Sequence, residues 1–184
     1  MIASEAERIA KERLSDRRYH HTVCVVKAAS ELAPRFGADQ DKAVIAAYLH
    51  DIFKEATDDV LLKTLGTSDI IHDNDLPKKH AIWHSFAAAE YLSLSLNLPD
   101  DICNAVRFHT TGREGMTPLE KTLFLADYIS EDRTYEDCIA VREIAEQDVE
   151  LALLTGLKFT IRELLDKNAV IDSRTIDAYN SCIV

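Results

Sequence analysis

Glycine and proline are scarce, 5 and 4 residues in a chain of 184. No segment keeps up the period-two alternation of β-branched residues that marks a strand, so a sheet is excluded as the organising element. Also missing is any apolar run near the ~20 residues needed to cross a bilayer. The first thirteen residues mix Glu, Lys and Arg with Ile and Ala, which fits neither a signal nor a transit peptide. A cytoplasmic protein without a membrane partner is expected. Cysteine is thinly spread: Cys24, Cys103, Cys138 and Cys182 show no paired metal spacing and read as reduced thiols in amphipathic stretches. Positive charge is in deficit, with a net charge of -11, which argues against nucleic acid and anionic membranes as partners. A small anionic ligand stays open, because metal ions and a few arginines reverse the potential locally.

What is present is helical periodicity. The pattern predicts an all-α helical bundle with helices near residues 2–14, 18–35, 40–51, 57–65, 79–96, 99–109, 117–130, 136–145, 148–167 and 172–181. Pro34 and Gly37 part the second helix from the third, which Asp39 can cap. Pro99 precedes two aspartates suited to a first turn, and Thr117-Pro118-Leu119-Glu120 is a helix start. A chain of this length forms one domain, residues 1–184, with a core over about 17–130 and C-terminal helices over 136–181 packed on it. Gly66 to Lys79 is polar and aperiodic, and reads as a connector or a lid over a pocket.

One stretch organises the rest. Ala46 to Lys54 is an apolar helical run ending in His50-Asp51, and a carboxylate set among Leu49, Ile52 and Phe53 is costly without a cation or several donors. A surface pair at a helix end is the plainer alternative for so short a motif. Four more residues weigh against it. His21 begins a face with Val25, Ala28 and Leu32; His84 shares one with Ala87, Ala88 and Tyr91; His109 closes the series Ile102, Ala105, Val106; Asp127 lies inside Leu123 to Ile129. Imidazoles and carboxylates together suit iron, manganese, nickel or zinc, and six donors are enough for two ions. His20 and His80 adjoin two of these ligands, but their faces favour His21 and His84; His72 falls in the Gly66–Lys79 stretch.

In that order, His21, His50-Asp51 and Asp127 resemble the metal signature of the HD superfamily of helical phosphohydrolases. Longer strings are similar to the YqeK family within it: Arg18-Tyr19-His20-His21-Thr22-Val23, His50 to Lys54, Trp83 to Ala89, Arg107 to Met116, Leu119 to Ile129 and Thr175 to Asn180. The resemblance spans residues 17–181. It implies an HD-domain helical bundle and symmetrical cleavage of diadenosine tetraphosphate to two ADP. It also implies a two-metal centre, commonly iron, and a homodimer. Carried over by position, the metal set is His21, His50, Asp51, His84, His109 and Asp127. The chain departs from the family at Ser85 and Phe86, where a small residue and proline are usual, and at Glu114, where proline is expected before Gly115.

The expected roles follow. Asp51 bridges two ions, His21, His50 and Asp127 complete one, and His84 and His109 hold the other; such ions activate water and clamp phosphoryl oxygens. Asp51, His50 and Lys54 form the catalytic set. Lys54, Arg113 and the Thr111-Gly112 backbone are expected at the phosphates, with Arg18 and Arg133 equally explicable as partners of nearby acids. Glu114 and Glu131 read as surface or supporting residues. Phe53, Phe108 or Tyr128 could stack a nucleoside. The rival readings are an HD phosphohydrolase for another nucleotide ester and a non-catalytic nucleotide-binding module.

Overall fold

The computed structural model describes residues 1–66 and 76–183, with backbone alone for residues 76 and 77. The lid or connector reading of Gly66 to Lys79, and His72 within it, therefore lies largely outside the described residues. Among the described residues there is no strand. The described residues form, in order, the α-helices α1 Ala3–Arg13, α2 Asp16–Phe36, α3 Gln40–Leu49, α4 Asp58–Leu65, α5 Trp83–Leu94, α6 Asp100–Phe108, α7 Pro118–Ile129, α8 Glu136–Gln147, α9 Val149–Asp166 and α10 Ser173–Ser181, with a 3₁₀ helix Leu76–Ile82 before α5.

The local signals do the work expected of them. Asp39 accepts a hydrogen bond from the Lys42 amide at the head of α3. Thr117 and Glu120 form a reciprocal capping box with Pro118 in the first turn of α7. Pro34 sits inside the last turn of α2 and cannot donate to Ser30, four residues back. The Gln40 side chain supplies that bond instead, 3.0 Å from the Ser30 carbonyl. Gly37 then ends the helix at φ 76°.

Helix α2 packs between α3 and α7, α6 closes on α3 and α7, and α5 lies on α6. At the other end α8 pairs with α9, which touches α7 and carries α10. Val25, Leu49, Val106, Leu123, Leu125, Leu153 and Leu157 are fully buried between these helices. A leucine so placed is worth about 2–5 kcal/mol over alanine. The start of the fifth helix differs from expectation: residues 79–82 belong to the 3₁₀ turn, with Lys79 at φ −107°, ψ 29°. The Lys79 ammonium lies 3.1 Å from the buried carboxylate of Asp172, so an ion pair to the segment before α10 holds the kink.

Gly112 shows how closely α10 presses on the loop after α6. At φ +65°, a Cβ added there would lie 2.9 Å from the Ala178 Cβ. Gly112→Ala is expected to lose about 2–4 kcal/mol, from the left-handed backbone and an overlap that no rotamer relieves. Gly115, at φ +63° with nothing within 4 Å, gives the backbone share alone, about 1–2 kcal/mol. Urea unfolding of both variants measures the difference; equal losses would mean that α10 yields freely.

Candidate metal centre

Two of the histidines are set by the same device. His50 ends α3 and His109 ends α6, where the last helical carbonyls have no amide partner. Each ring Nδ1 donates to the carbonyl three residues back, His50 to Ala47 and His109 to Val106, both at 2.7 Å. A carbonyl only accepts, so in the neutral ring the proton is on Nδ1 and Nε2 carries a free lone pair.

Those lone pairs converge on Asp51. One oxygen, Oδ1, is 3.2 Å from His84 Nε2 and 3.7 Å from His109 Nε2. The other, Oδ2, is 3.4 Å from His50 Nε2 and 3.1 Å from Arg18 Nη1. His84, at the start of α5, brings its Nε2 within 3.3 Å of His109 Nε2. On the far side of His50, His21 Nε2 from α2 lies 3.0 Å from Asp127 Oδ1 of α7. Two groups of three have ligand atoms all within 4.8 Å of one another: His21, His50, Asp127 and His50, Asp51, His109. His84 stands outside both groups yet touches two members of the second.

The residues fit a cation. His50 Nε2 and Asp51 Oδ1 are buried without a hydrogen-bond partner among the described residues, a rare state for buried polar atoms. Donor separations of 3.0–3.7 Å are those of ligands sharing one ion at bond lengths of about 2.0–2.2 Å.

Protonation favours the same use. Burial brings His84 down to about 4, with Lys54 and His109 adding to the drop against the pull of Asp51, so its ring is neutral at pH 7. Burial alone would raise Asp51 and Asp127. At Asp51 the surrounding His50, His109 and His84 outweigh it, while Arg133 and His21 outweigh it at Asp127, and both carboxyls are held well below their usual range.

Three cations predicted at the phosphates do reach the cluster. Arg18 bonds Asp51, Arg133 bonds Asp127 at 2.5 Å, and Lys54 Nζ lies 3.2 Å from His84 Nε2. A cavity of about 600 Å³, lined by Arg17, Arg18, His20, His21, Asp132, Arg133, Thr134 and Tyr135, opens beside His21. A second, of about 330 Å³, opens beside His109 and Asp127, with Lys54, Thr110 and Tyr128 in its wall.

Other expected residues are engaged elsewhere. In the glycine-flanked loop, Thr111, Gly112 and Arg113 make no hydrogen bond or ion pair to the cluster among the described residues. Arg113 donates to the buried Glu120 at 3.0 Å and lies over the Phe108 ring. Gly112 faces Ala178, and the Thr111 hydroxyl turns to the Gly112 carbonyl. Thr110, one residue earlier, is the one that approaches, 3.5 Å from His84 Nε2. Phe53 is buried against Tyr91 and under Arg13, so it offers no face to a base. His80 pairs with Asp58 on the surface, Glu131 with Lys27, and all four cysteines are free thiols.

The sequence reading missed Asp132. Its carboxylate accepts a hydrogen bond from His21 Nδ1–H at 2.8 Å, holding that ring as the backbone carbonyls hold His50 and His109. It sits in a loop after α7, where helical periodicity carries no signal. Arg142 of α8 braces that loop by donating to the carbonyls of Ile129, Ser130 and Arg133.

An all-α bundle that gathers histidines and aspartates from α2, α3, α5, α6 and α7 is the arrangement of HD domains, and the HD domain family matches residues 18–132. The chain belongs to the HD-domain family. Within it, the chain is 38% identical over 181 residues, 98% of this chain and 97% of the relative, to the protein of Bacillus subtilis named bis(5'-nucleosyl)-tetraphosphatase, symmetrical. A Halalkalibacterium halodurans protein of the same name is 36% identical over 100% of this chain and 98% of its own. Among solved structures, a predicted HD superfamily hydrolase involved in NAD metabolism from Clostridium acetobutylicum superposes with a TM-score of 0.90 at 28% identity, covering 98% of this chain and 96% of that one.

Proposed function

We propose that the chain hydrolyses diadenosine tetraphosphate in the middle of its phosphate bridge, giving two ADP. The observation that carries the reading is the pair of buried, unpartnered atoms His50 Nε2 and Asp51 Oδ1 in a chain aligned end to end with symmetrical tetraphosphatases. The cluster would hold two divalent ions, iron first among them and manganese, nickel or zinc as substitutes: His21, His50 and Asp127 would hold one, His84 and His109 the other, and Asp51 would serve both. Ions bound there supply Lewis acidity, which polarises phosphoryl oxygens and acidifies water.

The protein's own groups divide the remaining work. Asp51 and Asp127 stay ionised, so the donor set is ready at neutral pH. Arg18, Arg133 and Lys54 each touch a member of that set, within reach of a bridge drawn to it. They offset the charge that spreads over the equatorial oxygens as the central bond breaks. His50 and His109, pinned by their carbonyls, need no reorientation. We take residues 1–184 as one working unit, because α9 packs on α2 and α7 and carries α10. On the family resemblance alone, the reading extends to a cytoplasmic homodimer. Among the described residues, no helix is long and apolar enough to cross a membrane.

Metal-loaded protein incubated with diadenosine tetraphosphate is expected to give ADP as the only nucleotide product on separation by chromatography. ATP plus AMP, or no turnover, would remove central cleavage and leave the substrate to another nucleotide ester.

A further inference from the structure

A substrate cut at its centre places one nucleotide on each side of the metal cluster, and the two cavities flanking the cluster are unlike. The one beside His21 is nearly twice as large, about 600 Å³ against about 330 Å³, and falls in the range of small-molecule sites. Arg17, Arg18 and Arg133 line it against a single acid, Asp132, and that acid is occupied by His21. Arg17 is exposed and makes no ion pair among the described residues. At the rim stands Tyr135, 71% exposed on the residue that precedes α8. Large aromatic side chains seldom stand this free of packing.

Beyond Tyr135 the character changes. The adjoining hollow shares Arg133, Thr134 and Tyr135 with the first but is walled by Glu136, Asp137 and Glu163. Phosphates are repelled there and drawn to the arginine side, so a nucleotide in the larger cavity has one orientation, phosphates inward and base outward.

Resting on the tetraphosphatase reading, we propose that this cavity holds one ADP half of the substrate, its diphosphate against Arg17 and Arg18 and its base stacked on Tyr135. The other half lies beside Lys54, Thr110 and the half-buried Tyr128, with no fully exposed aromatic at its rim among the described residues, so the two ends of a symmetrical substrate are read unequally. Base preference is exercised at the Tyr135 end.

Calorimetric titration of ADP and of inorganic pyrophosphate into the metal-loaded wild type and variants separates the base from the phosphates. Tyr135→Ala is expected to weaken ADP about tenfold, as loss of one stacked base does, and to leave pyrophosphate unchanged. Tyr135→Phe, which keeps the ring, restores ADP binding. Arg17→Ala is expected to weaken both ligands alike, about tenfold. ADP affinity within about twofold of wild type in Tyr135→Ala, or an equal loss for pyrophosphate, overturns the subsite. The two readings fail separately. Wild type that binds ADP in this pattern but forms none from diadenosine tetraphosphate loses the activity and keeps the cavity. Wild type that forms ADP while Tyr135→Ala binds it undiminished keeps the activity and loses the cavity.

Discussion

Asp51→Ala is expected to abolish ADP formation, by at least about 10³-fold, and to strip the bound metal, while helix content by circular dichroism stays that of the wild type. The effect is large because one side chain serves both halves of the cluster: its two oxygens face His84 and His109 on one side and His50 on the other. An imidazole cannot replace it, having one lone pair to offer. Asp51→Asn is the companion variant, since it keeps the volume and removes the charge that His50, His84 and His109 are arranged around. Elemental analysis of protein purified without chelator gives the metal content, and product chromatography gives the rate. Should metal and turnover both survive in Asp51→Ala, the bridging role is wrong.

Asp132→Ala is expected to weaken metal binding 10- to 100-fold, the usual cost of removing a group that orients a ligating histidine. The fold should survive, because Asp132 lies in a loop and its side chain is still about a fifth exposed, at 22%. Without it, His21 is free to present either nitrogen and to rotate away from Asp127. The signature is a titration: turnover returns at high metal concentration, which damage to the substrate cavity would not allow. Asp132→Asn, whose amide oxygen still accepts from Nδ1 but carries no charge, is expected to fall between the two. Glu131→Ala, one residue earlier and paired outward with Lys27, serves as the neighbour that should change nothing. If Asp132→Ala binds metal as wild type does, the contact with His21 is incidental.

The helices and the inward histidines were legible because both follow from a 3.6-residue period interrupted by recognisable caps. Asp39, Thr117 and Glu120 act within four residues of their partners, so their meaning is local. His50 and His109 were found as polar groups on apolar faces, and their attachment to helix-end carbonyls is equally local. Arg113 shows where such reasoning stops. Beside Gly112 it resembles a phosphate contact, yet Glu120, spent on capping α7, has a second oxygen that captures the guanidinium. Phe53 was a reasonable stacking candidate until α1 and α5 covered it. Asp132, Arg17 and Tyr135 sit in a loop, in the exposed first turn of a helix or at a cap position, where composition alone cannot tell a working side chain from a solvated one.

The brace from Arg142 separates two roles proposed for the chain, ion capture and nucleotide recognition. The six donors all lie on α2 to α7, but the wall bearing Arg133 and Tyr135 hangs from a guanidinium on α8. On the proposed reading, substitutions along α8 would retune which nucleoside is accepted while leaving the cation cage intact. The same cage could be inherited by enzymes of quite different appetite through exchange of that outer wall alone.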